Sequence, residues 1–161
     1  MNYFDASALV KVYTDEAGSS EVRKYFYLES NKRTTPICYF ETLNVLKMKR
    51  FYRIPNITDK EYHDAAFALS AWFSMSSKDV PDLDLVDPHT FPKVQALALT
   101  YSLDLSDAFQ ILSVKEGFTS PMIGESQTIL VTADKGLATA ARKEGIKVWE
   151  YDGATSSVII R

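Results

Sequence analysis

The 161-residue sequence has little of what marks several common protein classes. It contains a single cysteine, Cys38, so no intrachain disulfide can form, and this usage suits a reducing compartment. No apolar run reaches membrane-spanning length, and the amino terminus lacks the basic-then-apolar pattern of a signal peptide. We therefore expect a cytoplasmic protein built as one domain over residues 1–161, large enough to bury its own core.

Basic residues are not in excess either. Eighteen Lys and Arg face 21 Asp and Glu, which gives a net charge of −3 and a pI of about 5.4. This sign argues against a broad basic surface for nucleic acid but leaves room for a local patch. Such a patch is predicted on the far half of one helix, at Lys47, Lys49, Arg50 and Arg53. These side chains could contact phosphates or simply form a solvated helix face.

Apolar strand-like segments alternate with helix-like segments along the chain. This alternation predicts a parallel sheet covered by helices on both faces, a three-layer α/β/α domain. Thr58 to Glu61 reads as a capping box, and residues 118–126 read as a loop. About five strands are expected, at residues 2–5, 34–37, 83–86, 128–131 and 146–149.

Four acids can be placed at one edge of this sheet. Asp5 ends the first strand, Asp134 follows the fourth strand, and Glu41 lies early in the helix after the second strand. Asp107 begins the helix that precedes the fourth strand. Because parallel strands share their carboxyl edge, where open α/β folds bind ligands, all four acids fall on that edge. They converge if the first, second and fourth strands are neighbours.

Clustered carboxylates need a compensating cation, because like charges held together raise one another's pKa. Hard oxygen ligands suit Mg²⁺ or Mn²⁺, which also take phosphate oxygens and waters. A metal held there can activate a water for hydrolysis of a phosphodiester. Each acid also has a simpler explanation: Asp5, Asp107 and Asp134 could cap helices, and Glu41 could be an exposed helix residue.

Several segments resemble PIN-domain nucleases, most closely the VapC-type toxins of prokaryotic toxin–antitoxin pairs. The opening Asp5-Ala6-Ser7-Ala8-Leu9 resembles the family's first motif, and Phe40-Glu41-Thr42-Leu43 resembles its mid-chain acidic helix. Leu105-Ser106-Asp107-Ala108 and Leu130-Val131-Thr132-Ala133-Asp134 are similar to the segments that carry the third and fourth acids. The matching order spans residues 1–150.

The resemblance implies a Mg²⁺- or Mn²⁺-dependent endoribonuclease with Asp5, Glu41, Asp107 and Asp134 as catalytic and metal-binding residues. It also implies that Ser7 and Thr132 support the acids through hydrogen bonds. The partners implied are an RNA substrate, a cognate antitoxin protein and a second copy of the chain in a homodimer. The stretch from Glu116 to Gln127 is longer than expected in this family and could reshape substrate access.

Rival functions are weighed on the same residues. A free-standing RNA-processing PIN nuclease and a non-catalytic α/β interaction module remain alternatives. A haloacid-dehalogenase-type phosphatase needs a second acid two residues after Asp5, where Ser7 stands. A serine hydrolase or nucleotide-binding fold lacks its glycine-rich motif, and His63 and His89 lie in segments that do not point to the acids.

Overall fold

The computed structural model describes residues 1–52, 57–78, 83–117, 120, 128–151 and 153. Within these ranges the strands are β1 (Asn2–Phe4), β2 (Lys32–Arg33), β3 (Ile129–Thr132) and β4 (Lys147–Glu150). The helices are α1 (Ala6–Tyr13), α2 (Ser19–Leu28), α3 (Pro36–Phe51), α4 (Asp59–Ser76), α5 (Thr90–Tyr101), α6 (Leu105–Glu116) and α7 (Lys135–Lys143). None of the described helices is long and apolar enough to cross a membrane.

The four described strands form one parallel sheet in the order β2-β1-β3-β4. Tyr3 of β1 is in register with Arg33 of β2 on one side and with Leu130 of β3 on the other. The predicted parallel sheet is therefore confirmed, with four described strands in place of five. Its order makes the strands that precede Asp5, Glu41 and Asp134 neighbours, which is the arrangement that convergence of the acids requires.

Helices cover both faces of the sheet. Successive side chains of a strand point to opposite sides, so each strand contributes to the core on both faces. On one face Tyr3 and Leu130 pack with Ile111 of α6 and Leu137 of α7. On the other face Phe4, Val131 and Trp149 pack with α1, α2 and α4 through residues that include Leu9, Val22 and Leu69. The two clusters confirm the three-layer α/β/α architecture.

The predicted second strand, residues 34–37, is wrong. The strand is shorter and earlier, Lys32–Arg33, and α3 already begins at Pro36. Thr35 is the N-cap, and its hydroxyl oxygen accepts a hydrogen bond from the Cys38 amide at 3.4 Å. Proline is favoured at the first helical position because its φ suits a helix and its missing N–H costs nothing there. These local signals outweigh the β-branched character of the segment.

The predicted strand at residues 83–86 is also wrong. Leu83 and Asp84 have no regular structure, and Leu85 and Val86 form a turn. Asp84 Oδ1 accepts a hydrogen bond from the Val86 amide at 3.0 Å, the kind of local bond that competes with strand pairing. Leu83 instead packs beside the cluster that joins α5 to α6.

Two helix boundaries follow their sequence signals. The capping box predicted at Thr58 and Glu61 is present at the start of α4. Gly117 ends α6, as expected. The predicted loop at 118–126 lies outside the described residues except for Ser120, which is in a turn.

Candidate active site

Asp5 lies directly after β1 and caps α1. Its Oδ1 accepts the Ala8 amide at 2.8 Å, and its Oδ2 accepts the Thr132 hydroxyl at 2.8 Å. The Ser7 hydroxyl lies 3.0 Å from both carboxylate oxygens. The side chain is almost completely buried, with 2% of the residue exposed. Burial raises the pKa of Asp5 to about 6, against the lowering effect of these hydrogen bonds.

Asp134 follows β3 and caps α7. Its Oδ1 accepts the Leu137 amide at 2.8 Å, and its own amide donates to the Thr132 hydroxyl oxygen at 2.9 Å. The Ala133 amide donates to the Ser7 hydroxyl oxygen at 2.8 Å. Ser7 and Thr132 thus join the ends of β1 and β3, and the charge of Asp134 contributes to the raised pKa of Asp5.

Glu41 is the sixth residue of α3 and is half-buried. Its Oε1 lies 3.5 Å from the Ser106 hydroxyl, while its Oε2 is buried and has no hydrogen-bond partner among the described residues. Burial raises the pKa of Glu41, and the charge of Asp104 adds to this effect. A buried carboxylate oxygen without a donor is costly unless a proton or a cation compensates it.

Asp107 lies in the first turn of α6. Burial raises its pKa to about 7, and the charges of four other acids raise it further. Three of these are the predicted partners Asp5, Asp134 and Glu41, and the fourth is Asp104. The charges of the three other predicted acids therefore all act on Asp107, and the four are called the acidic site below.

Asp104 is an acid at this edge that the sequence reasoning missed. It is the N-cap of α6: its Oδ1 accepts the Asp107 amide at 3.1 Å and the Ser106 hydroxyl at 2.9 Å. The sequence analysis placed the start of this helix at Asp107 and therefore took Asp107, not Asp104, as the possible N-cap. The signal was present, since an Asp three residues before another acid fits an N-cap.

The acidic site fits a hard divalent cation in its donor chemistry and in its charge. Its four side chains all offer carboxylate oxygens, and within the described ranges Glu41 Oε2 has no hydrogen-bond donor. Among the described residues, however, no three His, Cys, Asp or Glu side chains stand in position to hold one metal ion. Two of the acids are turned toward helix amides, Asp5 toward α1 and Asp134 toward α7.

The predicted basic patch lies further along α3 and is partly neutralised. Lys49 donates to Glu16 at 2.5 Å, and Arg50 donates to Asp59 at 2.5 Å. Lys47 is exposed, about 9 Å along the helix axis from Glu41 at 1.5 Å per residue. Arg53 lies outside the described residues. The two histidines, His63 and His89, are exposed.

A solved structure with a similar fold is PAE2754 from Pyrobaculum aerophilum. The TM-score is 0.56 with 21% sequence identity, over 91% of this chain and 87% of that one. Comparison with curated proteins gave no match. The PIN domain family model matches residues 3–143, a span that includes all four residues of the acidic site. The chain therefore belongs to the PIN domain family, whose members are generally metal-dependent nucleases.

Proposed function

We propose that this protein is a Mg²⁺- or Mn²⁺-dependent endoribonuclease that hydrolyses RNA phosphodiester bonds. The observation that carries the proposal is the placement of Asp5, Glu41 and Asp134 after neighbouring parallel strands, with Glu41 Oε2 buried and without a hydrogen-bond partner among the described residues. The raised pKa of Asp107 is consistent with it, since burial raises this pKa first and the nearby acids, Asp104 included, raise it further. Carboxylates gathered in this way destabilise a fold unless protons or a cation compensate their charge.

Asp5, Glu41, Asp107 and Asp134 would hold the cation. Once bound, a divalent cation lowers the pKa of a coordinated water and offsets negative charge on the phosphate. Among the residues described, Glu41 Oε2 has no hydrogen-bond partner, and Asp134 accepts the amide of α7 through Oδ1 alone. Both side chains can therefore contribute an oxygen without breaking the cap of a helix.

Ser7 and Thr132 would keep the central acid in place. Between them their hydroxyls contact both oxygens of Asp5, and each also accepts a backbone amide from the segment after β3. The carboxylate of Asp5 is thereby held at the junction of the two central strands. Such fixed orientation is what a metal site needs from the residues behind its ligands.

The finer proposal is that the nuclease is the toxin of a toxin–antitoxin pair. The resemblance of residues 5–19 to VapC-type toxins supports it. The chain has a net charge of −3 and lacks the broad basic face expected of an RNA-binding protein. A cognate antitoxin that covers the acidic site would account for this weak basic character. A homodimer is proposed on the same resemblance.

The decisive experiment is cleavage of a labelled structured RNA by the purified protein with Mg²⁺, Mn²⁺ or EDTA. Asp107→Asn is the best variant to test, because the Asp107 carboxylate accepts no hydrogen bond from the described residues. The replacement therefore breaks no hydrogen bond within that part of the chain. Asp64→Asn is the matched control, an exposed helix acid paired with Lys60. We expect RNA cleavage that requires metal. Asp64→Asn should cleave at the wild-type rate, and Asp107→Asn should cleave about a hundredfold more slowly or worse.

Two other outcomes would contradict the proposal. Cuts that survive in EDTA, or in Asp107→Asn, would show that the acidic site does not carry the activity. A folded, partner-free sample that neither cuts RNA nor binds Mn²⁺ in calorimetry would favour the non-catalytic interaction module.

The toxin assignment has its own test. Induced expression of the wild type should arrest growth of a bacterial host, and expression of Asp107→Asn should not. Co-expression of the small DNA-binding protein expected from an adjacent upstream gene should restore growth. An active nuclease without growth arrest would instead favour a free-standing RNA-processing enzyme.

A further inference from the structure

Lys11 and Lys49 direct their ammonium groups at the same carboxylate. Lys11 Nζ lies 2.8 Å from Glu16 Oε1, and Lys49 Nζ lies 2.5 Å from Glu16 Oε2. Lys11 belongs to α1, Lys49 belongs to α3, and Glu16 lies in the connection between α1 and α2. The Lys11–Glu16–Lys49 bridge is therefore a place where two cations from different helices converge on one anion.

The Lys11–Glu16–Lys49 bridge lies near the acidic site. Lys11 is four residues after Ser7 in α1, so their Cβ atoms are about 6 Å apart on one face of the helix. Lys49 is eight residues after Glu41 in α3, about 12 Å along the helix axis and on the same face. Both helices begin at the carboxyl edge of the sheet, and helical side chains lean back toward the start of their helix.

Tyr151 gives a second indication of this position. Its amide donates to the Thr132 carbonyl oxygen at 3.1 Å, at the end of β3 where the Thr132 hydroxyl contacts Asp5. The Lys11 ammonium lies over the Tyr151 ring, with Nζ 5.4 Å from the ring centroid. Lys11 Nζ is therefore at the edge of the sheet that carries the acidic site.

The anion position between the two lysines can exchange its occupant. The side chains are partly exposed, 15% for Lys11, 17% for Lys49 and 24% for Glu16. Ser19 fixes the main chain of Glu16, since the Glu16 amide donates to the Ser19 hydroxyl at 3.1 Å and the Glu16 carbonyl accepts the Ser19 amide at 3.0 Å. Rotation of the Glu16 side chain can therefore free the position while these main-chain contacts stay in place.

We propose that Lys11 and Lys49 form a phosphate subsite for the RNA strand, and that Glu16 occupies this subsite when RNA is absent. The inference rests on the proposed endoribonuclease function and concerns RNA binding, not metal binding. Lysine ammonium groups bind phosphate as point charges, so a phosphate can replace the Glu16 carboxylate between them. Glu16 then competes with RNA, and the two lysines hold a phosphate that neighbours the bond at the acidic site.

The first test is binding of a labelled single-stranded RNA, measured by fluorescence anisotropy in EDTA over a range of salt concentrations. Glu16→Gln removes the competing charge. Glu116→Gln is the matched control, because it also removes one acid paired with a lysine, Lys93. We expect Glu16→Gln to bind RNA about threefold more tightly or better at low salt and to steepen the dependence on salt. Glu116→Gln should bind as the wild type does.

Lys11→Ala and Lys49→Ala test the subsite from the cationic side. Each should weaken RNA binding and reduce the slope of log affinity against log salt by about 0.7, the value for one phosphate of a single strand. Lys93→Ala, the control, should change neither. The KM for cleavage with Mn²⁺ should follow the same order as the affinities, and urea unfolding identifies any variant that is not folded.

Two results would contradict the inference. If folded Glu16→Gln is less stable than the wild type but has the same RNA affinity and the same KM, the bridge is a structural contact and the inference is overturned. Metal-dependent cleavage by the wild type would still support the proposed function in that case. A wild type that binds no RNA in EDTA and cuts none with Mn²⁺ would overturn the proposed function and the inference together.

Discussion

The Thr132 hydroxyl donates to Asp5 Oδ2 over 2.8 Å, between residues 127 positions apart in the sequence. This bond joins the last residue of β3 to the residue that follows β1. The same hydroxyl oxygen accepts the Asp134 amide at 2.9 Å. One threonine thus connects two of the four acids of the acidic site, and neither end of the contact is exposed to solvent.

Thr132→Val should destabilise the protein and impair metal binding. Valine matches threonine in shape but removes the shorter of the two hydroxyl contacts to the buried Asp5 Oδ2 and the acceptor of the Asp134 amide. We expect the free energy of unfolding in urea to fall by about 1–3 kcal/mol. Thr139→Val is the control: its exposed hydroxyl donates to the Lys135 carbonyl of its own helix, and the expected change is within about 0.5 kcal/mol. Equal losses in both variants would contradict a special role for Thr132.

Asp107→Asn should change stability in opposite directions with and without metal. In EDTA the variant removes a charge that is costly to bury and that four nearby acids also repel, so we expect its unfolding free energy to exceed that of the wild type by about 1 kcal/mol. At a Mn²⁺ concentration of a hundred times the Kd, the wild type should gain about 2.7 kcal/mol. The variant should gain much less.

Thermal unfolding with Mn²⁺ or with EDTA measures both effects in one experiment. Asp64→Asn, an exposed acid outside the acidic site, should follow the wild type in both conditions. A Mn²⁺-induced rise in Tm that is equal for the wild type and Asp107→Asn would argue against Asp107 as a metal ligand.

Lys47→Ala tests whether the basic end of α3 contacts RNA. Among the described residues Lys47 forms no ion pair, so its charge is available to a phosphate. We expect the variant to bind RNA more weakly and to reduce the slope of log affinity against log salt by about one. Lys60→Ala, on α4, is the control for loss of an exposed lysine. An unchanged salt slope would leave this end of α3 as a solvated helix face.

Glu16 should make the protein more sensitive to acid. Burial raises its pKa, but hydrogen bonds and charges from Lys11 and Lys49 outweigh burial and lower the pKa below its usual 4.5. A depressed folded-state pKa gives stability that is present above the unfolded value and is lost as pH falls through the folded value. We therefore expect the unfolding free energy of the wild type to fall more steeply below about pH 5 than that of Glu16→Gln.

Urea unfolding across that range checks this expectation, and the difference between the two proteins should reach about 1 kcal/mol. Glu116→Gln is the control, because its ion pair with Lys93 is largely exposed. A wild-type profile parallel to that of Glu16→Gln would contradict a stabilising role for the Lys11–Glu16–Lys49 bridge.

The elements that were predicted well carry their signal locally. The capping box at Thr58 and Glu61 and the helix end at Gly117 depend on residues within one or two turns. The elements predicted wrongly are short apolar runs, residues 34–37 and 83–86. In both, a hydroxyl or carboxylate within the run accepts a hydrogen bond from a nearby backbone amide, that of Cys38 in one case and that of Val86 in the other. Apolar and β-branched composition does not reveal that competition.

The predictions for the acidic site also divide into those with a local sequence signal and those without one. Asp5 and Asp134 could be placed at the ends of strands because each follows an apolar segment. Asp104 was missed because the helix was predicted to start at Asp107, whereas it starts at Leu105 and Asp104 is the residue that caps it. The basic run in the sequence also gave no sign that Lys49 and Arg50 form ion pairs with Glu16 and Asp59.

By itself the sequence determined the alternation of strands and helices, the parallel sheet, and the presence of four acids at its carboxyl edge. These follow from periodicity and chain direction, which are local properties. Only the tertiary structure decided the strand order β2-β1-β3-β4, and with it the contact of Asp5 with Thr132 and the electrostatic convergence on Asp107. Strand order and burial come from packing between distant segments, and the pKa of each acid depends on neighbours that the chain brings together only when it folds.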